Sequence, residues 1–253
     1  MLTLFNLFLG CMGVVYLFND HMVIMSGDRD MFIDMGQIHL ACYCVFLAGI
    51  IDFFDGFIAR LLKVQSELGK QLDSLADMVT FGLLPGLIMY ELMARAYYAN
   101  YEAFDYPILF YASGFALTIF AAVRLGKFNI DKRQENEFRG LPSPSMAFFV
   151  VALPLIIIRD EMGLTTLLTN SWILLLIIAL LSYLMVSDIR MLSLKLKSMK
   201  VDENQWLFGL ILLSIIIAFA GIFLFQVYFA IIPIIILLYI IISIAKNISE
   251  NGI

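Results

Sequence analysis

About eight runs of predominantly apolar residues follow one another along this chain, most of them near the ~20 residues that span a hydrocarbon core. No other feature limits the fold so strongly, because a run of that length is a helix that satisfies its own backbone while its side chains meet lipid. The runs cover residues 4–18, 38–61, 71–97, 106–125, 145–158, 168–186, 206–225 and 227–246. The first and fifth are short, and a tilted or partly interfacial placement is expected for them. The last two are separated only by Gln226 and read as a tight hairpin. Ile and Leu dominate that hairpin with no polar residue aligned for chemistry, so it reads as scaffold, a dimerisation surface or a lipid-facing addition. The expected architecture is an all-α polytopic bundle, with a membrane domain over residues 1–200, an additional hairpin over residues 201–253, and a homodimer as the assembly.

Composition excludes a soluble alternative. Hydrophobic residues make up 62% of the chain and charged ones 15%, and a soluble domain of this length needs far more polar surface. Cys11, Cys42 and Cys44 all lie in apolar stretches and read as small core residues. The first apolar run follows Met1 without a basic region, so it reads as a retained helix and not a signal peptide. A formal charge of −5 says little about partners; membrane lipids are expected and nucleic acid is not. The placement of cations is more informative. One set of loops holds Arg60, Lys63, Lys70, Arg124, Lys127, Lys132, Arg133, Arg139, Arg190, Lys195, Lys197 and Lys200, with Lys246 near the C-terminus. The opposite set holds Arg29, Arg95 and Arg159 among many acids. By the positive-inside rule, the first set and both termini face the cytoplasm of a multi-pass cell-membrane protein. The segment from Arg190 to Lys200 alternates apolar and basic residues, as an anchor at the anionic headgroup layer would.

Four acids interrupt this apolar chain within one short stretch: Asp52, Asp55, Asp73 and Asp77. An ionised carboxylate at membrane depth costs roughly 2.5–3.5 kcal/mol on insertion scales, and no adjacent block of Lys and Arg is large enough to compensate four. Asp52 and Asp55 are three apart and Asp73 and Asp77 four apart, so each pair shares one helix face. A bend between Arg60 and Gly69 brings those faces together. Like charges so placed repel unless a cation sits between them, and hard divalent cations take carboxylate oxygens as ligands. The sequence therefore predicts a metal-binding helix hairpin at a membrane face.

These acids belong to a longer pattern, D-x-x-D-G-x-x-A-R followed after eight residues by G-x-x-x-D-x-x-x-D, formed by Asp52, Asp55, Gly56, Ala59, Arg60, Gly69, Asp73 and Asp77. It resembles the signature of the CDP-alcohol phosphotransferase family at every fixed position. The resemblance implies a CDP-linked lipid as donor, an alcohol as acceptor, and Mg²⁺ or Mn²⁺, as a pair of ions, bound by Asp52, Asp55, Asp73 and Asp77. It also implies Asp77 as general base. Gly56 and Ala59 lack bulk and leave room for a nucleotide, Gly69 opens the second helix and relieves crowding at the hairpin, and Arg60 supplies a cation near the diphosphate or a salt bridge to a neighbouring aspartate.

The segments from Leu2 to Gly13 and from Met78 to Gly86, with the loop from Arg124 to Ser145, are similar to the phosphatidylserine synthase branch of that family. One departure is Gly126-Lys127 where the branch commonly has Ala-Arg, which keeps the charge but not the guanidinium fork. The branch implies CDP-diacylglycerol and L-serine as substrates. On physical grounds alone the loop reads two ways. Arg124, Lys127 and Arg139 can receive a carboxylate, and Asn129 with the carbonyls freed near Pro142 and Pro144 can receive an ammonium. Equally, the cations can be topology signals and Gly140-Leu141-Pro142 a simple chain break. Other acceptors, glycerol phosphate or inositol phosphate, and an ether-lipid donor stay open within the family. A divalent-cation transporter is the competing class; it would place its acids near the bilayer midplane and show internal repeats, and no repeat is evident. His21, His39, Trp172 and Trp206 need no special role. Asn247-Ile248-Ser249 matches a glycosylation triplet but falls on the expected cytoplasmic side.

Overall fold

The structure, a computed structural model, describes residues 2–19, 24–26, 31–33, 35–62, 66–99, 107–130, 139–192 and 204–251. Its helices are α1 (Leu2–Phe18), α2 (Ile38–Leu62), α3 (Glu67–Asp77), α4 (Leu84–Ala99), α5 (Pro107–Tyr111), α6 (Phe115–Ile130), α7 (Ser143–Arg159), α8 (Thr165–Leu168), α9 (Ser171–Val186), α10 (Gln205–Phe223) and α11 (Ile231–Asn251). A short antiparallel hairpin, β1 (Ile24–Ser26) with β2 (Met31–Ile33), lies between α1 and α2. The expected all-helical bundle is otherwise what forms.

Among the described residues, five helical stretches are long and apolar enough to cross a membrane: Ile38–Ala59, Glu67–Tyr98, Ile108–Ile130, Gln205–Phe223 and Ile231–Ser249. The chain is thus a multi-pass membrane protein. The remaining three expected spans are apolar helices too, but α1 and α7 have 17 residues and α9 has 16. At 1.5 Å per residue they reach about 24–26 Å, short of a ~30 Å hydrocarbon core. An eight-span count therefore goes beyond what length supports.

Packing explains why α7 is apolar all round. It lies against α2, α4, α9 and α11, and Met146, Ala147, Val150, Val151 and Ala152 are fully buried within that ring. α7 ends at Asp160, whose φ of 46° places it in the left-handed region that closes a helix. α1 lies against α2, α3 and α4. Its approach depends on small residues: a Cβ on Gly10 would stand 2.7 Å from Thr80 Oγ1, and one on Gly13 would meet Leu84 Cδ2.

The expected span 71–97 is one continuous helical rod with a defect in it. α3 passes into a π-helical turn, Met78–Leu83, before α4 begins. Such turns disturb the i→i−4 ladder and often sit at functional sites. Here Thr118 Oγ1 of α6 donates to the Gly82 carbonyl at 3.1 Å, supplying a partner inside the defect. The turn follows Asp77 directly, so the aspartate face and the core-packed face of the same rod adopt separate registers.

Candidate active site

Two helices bring the acids together. α2 carries Asp52 and Asp55 in its final turns, and α3 carries Asp73 and Asp77. The start of α3 is set by Ser66, whose backbone is extended and whose Oγ accepts the Gly69 amide at 3.0 Å, satisfying one orphan donor of the first turn. α3 begins at Glu67, so Gly69 lies inside the helix and does not open it. A Cβ there would press on Ser66 Oγ at 3.0 Å, which is a structural reason for glycine at this position.

Carboxylate oxygens of Asp52, Asp73 and Asp77 all lie within 4.8 Å of one another, each half-buried. Asp55 stands outside that group of three and accepts a hydrogen bond from the Thr3 hydroxyl of α1. Asn6, also on α1 and fully buried, donates from Nδ2 to Asp77 Oδ1 at 3.4 Å. Asn6 is fixed in turn by Thr80, whose hydroxyl donates to the Asn6 carbonyl at 3.3 Å. The first helix thus supplies two polar residues to the acids, a contribution that its reading as a plain apolar span missed.

Three carboxylates this close repel one another unless a cation or a proton sits among them. The donors are all hard oxygens, and Asn6 Oδ1 is buried nearby without a protein partner. This set fits a hard divalent cation, and the acid cluster can hold one. On the α2 side, a Cβ added at Gly56 would meet nothing within 4 Å outside its own helix, and Gly56 is exposed while Ala59 is half-buried. That leaves an open face beside the acids. The side chain of Arg60, in the last turn of α2, lies outside the described residues.

The second group of expected residues is divided by the fold. Arg124, on α6, is buried at 7% exposure and donates to Ser143 Oγ at the start of α7, at 3.4 Å. Its Nε is buried without a protein partner, and it lies within electrostatic reach of Asp77. Lys127 donates to the Val186 carbonyl at 3.4 Å, at the C-terminus of α9 where a cation is favoured. Arg139 pairs backbone to backbone with Arg190. Asn129 goes elsewhere: its Nδ2 donates to Ser74 Oγ at 3.2 Å, joining α6 to the aspartate helix. Of the loop between these elements, residues 131–138 lie outside the described residues, as do His21 and most of the basic segment after Leu192.

The class these features define is a multi-pass helical membrane protein with a carboxylate site between two of its helices. The chain belongs to the CDP-alcohol phosphatidyltransferase family, whose pattern matches residues 1–186. A CDP-diacylglycerol–serine O-phosphatidyltransferase of Helicobacter pylori is 34% identical over 72% of this chain and 71% of its own length. The Bacillus subtilis protein of the same name is 31% identical, over 53% of this chain and 73% of its own. An archaetidylserine synthase of Methanothermobacter thermautotrophicus is 29% identical over 44% of this chain and 45% of its own.

Proposed function

We propose that the protein transfers the phosphatidyl group of CDP-diacylglycerol to the hydroxyl of L-serine, giving phosphatidylserine and CMP. The observation that carries this reading is the convergence of Asp52, Asp73 and Asp77 within 4.8 Å, in a chain whose relatives bear serine phosphatidyltransferase names. The serine oxygen forms a bond to the lipid phosphorus, the bond from that phosphorus to the bridging oxygen breaks, and CMP leaves with the electron pair. Such a transfer needs mainly positioning and charge stabilisation.

Asp77 takes the serine proton as general base. Its Asn6 partner keeps one oxygen oriented, leaving the other side of the carboxylate toward the acid cluster. Asp52, Asp55, Asp73 and Asp77 would hold Mg²⁺ or Mn²⁺, which when bound offsets charge building on the diphosphate. Gly56, Ala59 and Gly69 leave the donor nucleotide room to approach, and Arg60 offers it a cation. Arg124 and Arg139 receive the serine carboxylate, with Lys127 holding the end of α9 beside them. The site and both termini face the cytoplasm of the cell membrane, a reading supported by the cation placement along the loops.

An archaetidylserine synthase among the relatives supports testing an ether-lipid donor beside the diacyl one. Release of CMP by purified protein, measured with serine, glycerol 3-phosphate or inositol phosphate and with each donor, decides between these. Serine-dependent release is the expected result. Release that depends on a phosphorylated alcohol would replace the serine reading.

A further inference from the structure

The final hairpin is held to the rest of the chain at both of its ends. At one end Glu161, 5% exposed, accepts the backbone N–H groups of Tyr228, Phe229 and Ala230 at 2.8–3.1 Å, just before α11 begins. Arg159 Nε stands 3.7 Å from the same carboxylate, and its guanidinium lies 4.4 Å from the centre of the Tyr228 ring. A negative charge at a helix N-terminus with direct amide donors is a favourable clamp.

At the other end three polar side chains, Tyr239, Ser243 and Asn247, recur every four residues on one face of α11. The chain leaving α9 is non-helical from Ser187 to Leu192, and its backbone groups need partners wherever water is excluded. One side of this segment is paired with the chain before α7: Gly140 N–H donates to the Ile189 carbonyl at 2.9 Å, and Arg139 and Arg190 are bridge partners. The other side is paired with α11. Asn247 Nδ2 donates to the Arg190 carbonyl at 2.7 Å, the Leu192 N–H donates to Ser243 Oγ at 3.0 Å, and Tyr239 Oη donates to the Leu192 carbonyl at 3.1 Å. Ser243 Oγ closes the set by donating to the Tyr239 carbonyl at 2.7 Å.

We propose that α11 is a positioning element of the acceptor side: Tyr239, Ser243 and Asn247 hold residues 190–192, which hold Arg139 and Gly140 beside Arg124 and the start of α7. The proposal rests on the reading of Arg124 and Arg139 as the serine side of the site. Gly140 makes the coupling stiff. Its φ is +72°, and a Cβ there would strike the Met185 carbonyl, so neither strand of the pair shifts alone. Tyr239 also lies within electrostatic reach of Arg124, which places α11 against the same surroundings.

The test uses the full chain in CDP-diacylglycerol micelles, with serine and donor varied separately. Ser243→Ala and Asn247→Ala should each raise the serine KM about fivefold, the effect of one lost hydrogen bond, with the donor KM unchanged. Ser243→Thr, which keeps the hydroxyl, should stay near the parent. A merely structural role would lower kcat through the active fraction and leave both KM values alone; that result, or a parallel rise of both, overturns the proposal. Hydrogen exchange supplies an arm independent of activity. Ser243→Ala should speed exchange across 139–141 and 189–192 together while α3 stays protected. If 139–141 keeps the parent's rates, α11 does not position it. Should the parent release no CMP with serine, the functional reading falls and the exchange result alone decides the positioning.

Discussion

Replacing Asn6 tests how Asp77, the proposed general base, is held. Asn6 Nδ2 is 3.4 Å from Asp77 Oδ1 and the residue is fully buried. A hydrogen bond to a charged group is worth about 1.5–3 kcal/mol, and a length of 3.4 Å lies beyond the usual range for N–H···O. The lower figure, about 1.5 kcal/mol, therefore applies, which is roughly tenfold in rate. Asn6→Leu keeps the number and branching of the heavy atoms and removes the donor, and the unfolding control reports any cost of its larger methyl groups. Asn6→Asp instead adds a fifth carboxylate and should be more damaging. The assay is CMP release at saturating donor and serine, with thermal unfolding in the same detergent as control. A kcat about tenfold lower for Asn6→Leu, with the donor KM little changed, is expected. Parent-like kcat in Asn6→Leu would mean that Asp77 needs no orientation from α1, and the account of the base would be refuted.

Three further outcomes follow from the same geometry. Asp52→Asn, Asp55→Asn and Asp73→Asn should each abolish transfer while the protein stays folded and inserted; parent rates in excess chelator would remove the metal from the account. Asp77→Asn should lower turnover by about 10²–10⁴ with much less change in nucleotide-lipid binding by calorimetry, and equal loss of binding to that in Asp73→Asn would leave the base role unsupported. Arg124→Ala and Arg139→Ala should raise the serine requirement by about tenfold to hundredfold, the equivalent of one charge-assisted contact. A rise in the donor requirement instead would assign these arginines to the lipid phosphate.

Much of this was legible in residue order because membrane helices and the acid spacing are local signals. The helices fall at the expected places, and Asp52, Asp73 and Asp77 meet, whereas Asp55, three residues beyond Asp52, accepts from Thr3 outside that group. What was hidden is long-range pairing. Thr3 and Asn6 sit in a run that is otherwise apolar, and they reach Asp55 of α2 and Asp77 of α3 where α1 packs closely, at Gly10, on the π-helical turn. The π-helical turn after Asp77 has no composition signal, since Met78–Leu83 reads as the apolar start of the helix that follows. The hairpin was expected to lack aligned polar residues. Tyr239, Ser243 and Asn247 do align, and their four-residue spacing was the available clue. Asn129 read as a companion of the cations but points to Ser74, because it lies five residues beyond Arg124 and so on another face of α6.

The most direct measurement is mass spectrometry of the lipid made from CDP-diacylglycerol and isotopically labelled L-serine by the purified protein. With a divalent cation present, labelled phosphatidylserine and an equal amount of CMP should accumulate, and both should vanish in Asp73→Asn and in chelator. CMP without labelled lipid, or labelled lipid formed equally well by Asp73→Asn, would contradict a serine transfer built on the three converging carboxylates.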